Sequence, residues 1–349
     1  MILIQIFRES FFFGHVLKAK ESLIKSCLEN KNDYYYEKII PKKTHGFRTL
    51  HCLRRDSELY KLQSELTHNF LDKIPIPDYV CGFVPGKSYR DYLAPHIRQV
   101  NVEKDRYYLR LDIKDFFSSL YKENILDMLN PYFRLEPVKN ESLLEYIAEL
   151  TTLDGVLPQG AISSPSLSNI LFRRMDIRIN KYCKQKGYTY TRYGDDLLFS
   201  SVNDNLHNAS TIYLFSSILN DGGFTLNERK IRKGINQMSL NGFVVGSNLR
   251  ISRSKRADIG NILYLFATHQ PDERKKLLDI LNKESFRYRR KNSDDLYFYN
   301  DNALIHYLAG YRAMLIGWLP EDRNHLHFEE AIRTINQLEA LLEKIHYME

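Results

Sequence analysis

The feature that most restricts how this chain can fold is the stretch Tyr193-Gly194-Asp195-Asp196-Leu197. Before it runs Gly187-Tyr-Thr-Tyr-Thr-Arg-Tyr193, rich in β-forming residues, and after it the short apolar Leu197-Leu-Phe-Ser-Ser201. Two strand-like runs flanking Gly-Asp predict a β-hairpin with a tight turn. Such a turn holds two carboxylates side by side. Adjacent like charges repel, and a hard divalent cation, which takes oxygen ligands and is often shared with substrate phosphates, is a natural way to neutralise them. The plain alternative is a solvated turn, since Asp tolerates left-handed backbone and bonds its own main chain. A further carboxylate upstream tips the balance.

That carboxylate stands in Tyr107-Tyr-Leu-Arg-Leu-Asp112-Ile-Lys-Asp115-Phe-Phe-Ser-Ser-Leu120. Tyr108, Leu109 and Leu111 predict a strand with Asp112 at its end, and Phe116 to Ser119 turn the chain towards a helix. Strand ends are where α/β architectures commonly place chemistry. Asp112, Asp195 and Asp196 together are enough to hold two Mg²⁺ ions for in-line displacement at a phosphate. Asp115 is expected to cap the next helix or to be solvated. Between the two acidic stretches, Leu157-Pro-Gln159-Gly160 reads as a turn, and Ser164 as the cap of a helix with Pro165 at its first position.

The rest of the chain divides without a linker, repeat or low-complexity tract. Residues 1–40 look helical up to a Tyr34-Tyr-Tyr36 cluster. Ile39 to Leu50 predicts a hairpin with Lys42 and Lys43 at its tip and Arg48 close behind. Lysine as a point charge and arginine as a fork suit phosphates; exposed basic hairpins are also ordinary surface. Asp56–Leu71 is helical, ended by Pro75 and Pro77. Gly86-Lys87-Ser88 resembles the end of a P-loop, but Gly82 falls one position late for that motif. After the acidic hairpin, Thr211–Leu219 is helical and Gly222–Lys233 a turn and strand. Met238–Gly246 reads as a hairpin strand. Arg250 to Lys291 carries 12 Lys or Arg against 5 Asp or Glu, and Asn302–Tyr347 reads as two helices.

Composition sets wider bounds. A chain of 349 residues with 43% hydrophobic and 27% charged residues is an ordinary globular protein, large enough for two or three packed subdomains. A net charge of +7 permits a polyanionic partner, and 24 Tyr with 19 Phe supply rings that suit nucleic acid as well as a core. Four scattered cysteines, with no Cys-x-x-Cys, suggest neither zinc site nor disulfide framework. The first ten residues lack a basic n-region and no stretch is long enough to span a bilayer, so a cytoplasmic protein without membrane contact is expected.

Asp112 with Phe116-Phe117, Leu157-Pro-Gln-Gly160 with Ser164-Pro165, Tyr193-Gly-Asp-Asp196, and Gly223–Lys230 occur in that order. The set closely resembles bacterial retron-type reverse transcriptases and their antiphage-defence relatives. The resemblance implies an α+β, right-hand polymerase fold: N-terminal helices and fingers over 1–106, a palm with interleaved fingers segments over 107–246, and a helical thumb over 247–349. It implies two Mg²⁺ ions, replaceable by Mn²⁺, on Asp112, the Ile113 carbonyl, Asp195 and Asp196. Lys42 or Lys43, Arg48, Phe116, Phe117, Gln159 and Gly160 would border the incoming dNTP, with Phe117 as the steric gate against a ribose 2′-OH. Lys230 would protonate the departing pyrophosphate. Arg250, Arg253, Lys255, Arg256, Arg287, Arg289, Arg290 and Lys291 would grip the duplex backbone. The implied partners are a cognate non-coding RNA serving as template and primer, its DNA product, and a defence effector protein.

Several residues depart from the retron pattern. Gly194 replaces the usual Ala, Leu93-Ala-Pro-His96 stands where Asn-Ala-x-x-His is usual, and Leu240-Asn-Gly242 where Val-Thr-Gly is usual. Gly-Asp-Asp is shared with viral RNA-dependent RNA polymerases, but those lack Pro-Gln-Gly and the aromatic gate. The alternatives are a non-retron defence reverse transcriptase, an RNA polymerase, and an RNA-binding scaffold for a toxin or effector.

Overall fold

The computed structural model describes residues 5–41, 46–98, 104–283, 298, 300–319, 323 and 326–348. Two compact units emerge, one from residues 1–96 and 104–235, the other from 97–103 and 236–349.

The first unit is built on an antiparallel sheet. Its strands are preceded by a hairpin of β1 (Tyr35–Pro41) and β2 (Phe47–Leu53), paired from Tyr35↔Leu53 to Pro41↔Phe47. Helix thus gives way to strand at Tyr35, inside the tyrosine cluster, because aromatic and β-branched side chains favour the pleated ribbon. The sheet itself comprises β3 (Tyr107–Lys114), β4 (Thr189–Tyr193), β5 (Asp196–Ser201), β6 (Thr225–Leu226) and β7 (Arg232–Ile235). Its order is β4-β5-β3-β6, with β7 also on β3. Every residue of β5 is buried, as expected for a central strand covered on both faces.

Helices pack on this sheet through one aromatic and aliphatic core. Glu58–Asn69 starts at Ser57, whose Oγ accepts the Tyr60 N–H at 3.1 Å, and buries Leu59, Leu62 and Leu66. It ends at Asn69, before a short 3-10 turn over Leu71–Lys73, so Pro75 and Pro77 follow its end rather than cause it. The 23-residue helix Ser164–Lys186 lies against the sheet with Leu167, Ile170, Phe172 and Ile179 buried. It starts one residue earlier than the sequence predicts: Ser163 holds the cap position but its Oγ donates to Gln63 Oε1 at 2.9 Å rather than capping, while Ser164 is already helical and its Oγ donates to the Pro158 carbonyl at 2.8 Å. Gly187, at φ 68°, ends the helix with its N–H on the Cys183 and Lys184 carbonyls.

The second unit opens with a three-stranded meander, β8 (Met238–Leu240), β9 (Phe243–Val245) and β10 (Leu249–Ile251). The expected single strand is two, because Asn241 and Gly242 both have positive φ and fold the chain back. The helices Arg253–His269, Arg274–Lys283, Asp301–Gly317 and Leu326–Tyr347 follow. Among the described residues no helix is long and apolar enough to cross a membrane.

Candidate active site

The acidic hairpin forms as its sequence dictates. Tyr193 pairs with Asp196, leaving Gly194 and Asp195 as a two-residue turn with Gly194 at φ 65°. Asp112 lies at the register position opposite Asp196, and the Ile113 N–H donates to the Asp195 carbonyl at 3.0 Å. The hairpin acids and the acid of β3 therefore meet at one end of two hydrogen-bonded strands. Asp112 is 2% exposed and Asp196 7%.

Burial of this much charge has a cost, which falls on the ionised forms of the acids. Desolvation, then the charge of Asp112, raise the Asp195 pKa, while Lys230 and Arg48 pull it down. Burial also raises Asp196, against the opposing pull of Arg110. Two cations hold the other acids. Lys230 Nζ lies 2.9 Å from both carboxylate oxygens of Asp112, and Asn227 Nδ2 donates to Oδ1 at 3.1 Å. Arg110 Nε donates to Asp196 Oδ1 at 2.9 Å, its Nη2 reaching the same oxygen. With Asp112 and Asp196 drawn to these partners, no group of three or more His, Cys, Asp or Glu is gathered as a closed metal cage among the described residues. The donor set nonetheless fits a hard divalent ion: oxygen ligands only, clustered and destabilised by burial and mutual repulsion.

The turn is anchored from beneath. Arg192 is wholly buried; its Nε and Nη2 donate to Asp176 Oδ1 and Oδ2 at 2.9 and 2.7 Å, and Nη1 to the Gly194 carbonyl at 3.0 Å. Its guanidinium carbon also lies 4.8 Å from the Phe172 ring centre. Tyr190 OH donates to Asp176 Oδ1 at 2.7 Å. Sequence reasoning missed Arg192, Asp176 and Arg110. Arg110 had a signal, since it shares a strand face with Asp112 two residues on.

The other expected residues are distributed as follows. Gly160, at φ 128°, lies against β2, where a Cβ would sit 2.9 Å from the His51 carbonyl; Gln159 beside it is half-buried. Arg48 is exposed on the same hairpin. Lys42 and Lys43 lie outside the described residues. Phe117 is half-buried, whereas Phe116 is 4% exposed and packs on Phe172 and Phe224. The Phe116 side chain is therefore core behind the expected gate, its ring packed among those of the sheet–helix interface. Asp115 is exposed at φ 46°; it is the main-chain carbonyl that holds Ser119, by N–H and Oγ both at 3.1 Å.

In the second unit, Arg253 is exposed, and the neighbouring cations are half-buried, each engaged with a partner within the chain. Lys255 Nζ lies 4.3 Å from the Phe243 ring centre, Arg256 pairs with Glu330 at 2.7 Å, and Arg250 donates to Gln237 at 2.6 Å. Three of the cations expected along the duplex backbone thus have partners within the chain. Arg287, Arg289, Arg290 and Lys291 lie outside the described residues.

With this geometry in hand, similarity to known proteins is informative. The profile of the family described as reverse transcriptase (RNA-dependent DNA polymerase) matches residues 40–273. The retron Ec86 reverse transcriptase of Escherichia coli is 30% identical over 266 residues, covering 74% of this chain and 78% of that one. The retron Mx65 reverse transcriptase of Myxococcus xanthus is 30% identical over 250 residues, covering 66% of this chain but only 56% of its own length. The solved apo telomerase from Candida tropicalis resembles 89% of this chain and 61% of that chain at TM-score 0.48 and 12% identity. The long matched span and the meeting of Asp112 with the Asp195-Asp196 turn lead to one conclusion: this chain belongs to the reverse transcriptase family, of the retron type, and shares that family's right-hand polymerase fold.

Proposed function

We propose that the protein is an RNA-directed DNA polymerase that copies a cognate non-coding RNA into DNA in the bacterial cytoplasm, as part of a retron-type antiphage system. In this assignment residues 1–106 contribute fingers, 107–246 the palm and 247–349 the thumb. The observation that carries it is the register of β3 on β5, which sets Asp112 across from Asp196 and bonds Ile113 to the turn residue Asp195.

Asp112, Asp195, Asp196 and the Ile113 carbonyl would hold two divalent ions, Mg²⁺ or Mn²⁺. When bound, these supply charge neutralisation to the attacking primer oxygen, the α-phosphate and the pyrophosphate leaving group. The chain's own residues do the positioning. Arg110 fixes the Asp196 carboxylate, so Asp196 acts more as an oriented neighbour than as an unengaged ligand. Arg192 fixes the turn through the Gly194 carbonyl. Arg48, whose charge is felt at Asp195, suits the triphosphate with Lys42 or Lys43. Gly160, packed on the same hairpin, and Gln159 beside it border the nucleotide. Phe117 bars a 2′-OH, and Lys230, released from Asp112, donates the proton to pyrophosphate.

Purified protein given Mg²⁺, dNTPs and a primed RNA should make complementary DNA, and Asp195→Ala should lower the rate roughly 10³-fold or more, as expected where a charge-stabilising group is removed. Undiminished product from that variant would show the acids to be misassigned.

A further inference from the structure

The loop Val80–Lys87 has no part in the expected chemistry, yet it is pressed against the acidic turn. The N–H groups of Cys81 and Gly82 both reach the Arg192 carbonyl, at 2.8 and 3.4 Å, and Arg192 N–H returns a bond to Tyr79. At Gly82 the approach is so close that a Cβ would lie 2.4 Å from the Gly194 nitrogen and 2.8 Å from the Tyr193 carbonyl carbon. Only glycine fits there. The next residue, Phe83, has φ 60°, a left-handed conformation that costs a non-glycine residue energy and is worth attention when it recurs beside a site. Asn169, buried in the helix Ser164–Lys186, holds this geometry by donating to the Gly82 carbonyl at 2.9 Å and reaching Phe83 O at 3.4 Å.

The strained backbone puts the Phe83 ring in a particular place. The ring stays 41% exposed and lies over the turn, 3.3 Å from where a Gly194 Cβ would be. Its centre is 6.0 Å from that of Phe117, and Phe117 continues into Phe116 at 5.6 Å. Phe117 is thus held between a fixed core ring on one side and Phe83 on the other.

We infer that Phe83 is a specificity-determining positioning residue: its ring braces Phe117 and so sets how strictly the enzyme excludes ribonucleotides. This rests on the assignment of Phe117 as the gate. It also accounts for Gly194, since a methyl group there would push on the Phe83 edge.

The test is single-nucleotide incorporation by the full chain, with dNTP and rNTP in parallel, reported as the ratio of kcat/KM values. Phe83→Ala should lower the ratio about threefold to tenfold, the size of one ring–ring contact, and Phe83→Tyr, which keeps the ring, should restore it. Phe83→Gly relieves the left-handed backbone, so it should fold at least as well as wild type and still lose discrimination; a purely structural role predicts no such loss. Phe117→Ala is run alongside. If it collapses the ratio while Phe83→Ala and Phe83→Gly stay within twofold of wild type, the bracing role is wrong and the gate stands. If Phe117→Ala leaves the ratio unchanged, the gate assignment fails and the inference with it.

Discussion

The buried pair beneath the acidic turn makes a quantitative prediction. Arg192→Met removes three donated hydrogen bonds, two to Asp176 and one to the Gly194 carbonyl. The Asp176 carboxylate, with 0% of its side chain exposed, would keep only the Tyr190 hydroxyl among the described residues. Breaking a buried pair from one side costs about 3–5 kcal/mol, because an uncompensated charge stays in a low-dielectric interior. The triple variant Arg192→Met, Asp176→Leu, Tyr190→Phe removes that charge and leaves chiefly the Gly194 carbonyl unpaired, a cost of about 1–3 kcal/mol. Urea unfolding followed by far-UV circular dichroism should therefore find the triple variant more stable than the single one. Primer extension should remain impaired in both, since neither anchors the turn. A single variant that loses less than about 1 kcal/mol, or a triple variant no more stable than the single, would refute the electrostatic reasoning.

Two further outcomes follow from the same sheet. His96 is fully buried, with Nε2 2.8 Å from Thr191 Oγ1 and Nδ1 2.7 Å from Ser200 Oγ, and burial pushes its pKa down to about 3. Thr191 gives its proton to the Tyr92 carbonyl, so Nε2 is the donor and the ring is neutral. A depressed folded pKa means stability is full above the unfolded value near 6.5 and drains away as pH falls towards 3; at pH 5, about 1.5 units below, the loss is about 2 kcal/mol. Urea titrations at pH 7 and pH 5 should show that difference in wild type and less of it in His96→Asn; equal losses would contradict it. Gly82→Ala should destabilise the protein by about 1–3 kcal/mol and cut polymerisation, because the clash is with main chain that carries the acidic turn; a variant with wild-type melting temperature and rate would contradict the close approach.

How much of this was legible in the sequence varies with the range of the interaction. The hairpin at Gly194-Asp195 was, because turn chemistry and strand propensity are local. A strand leading into Asp112 was too, although β3 runs two residues past it to Lys114, and only the fold shows that its partner across the sheet is Asp196. The start of the long helix was misjudged by one residue, since Ser163 and Ser164 are equally good caps in isolation, whereas in the fold their hydroxyls are taken by Gln63 and the Pro158 carbonyl. Arg192 read as one more residue of a β-rich run; nothing local reveals that Asp176, on the helix before it, takes its charge. The partners of Lys255 and Arg256 were hidden for the same reason, Phe243 and Glu330 lying in other elements. Phe83 needed φ and ring positions that no spacing encodes.

The central claim is that Asp112 and the Asp195-Asp196 turn form one divalent-metal site for polymerisation. The most direct test is anomalous scattering from crystals of the protein soaked in Mn²⁺ with primed RNA and a dNTP. The account predicts manganese peaks bounded by the carboxylates of Asp112 and Asp195 and the carbonyl of Ile113, with Lys230 withdrawn from Asp112. Peaks confined to other parts of the chain, with the Lys230–Asp112 pair intact beside bound nucleotide, would contradict it.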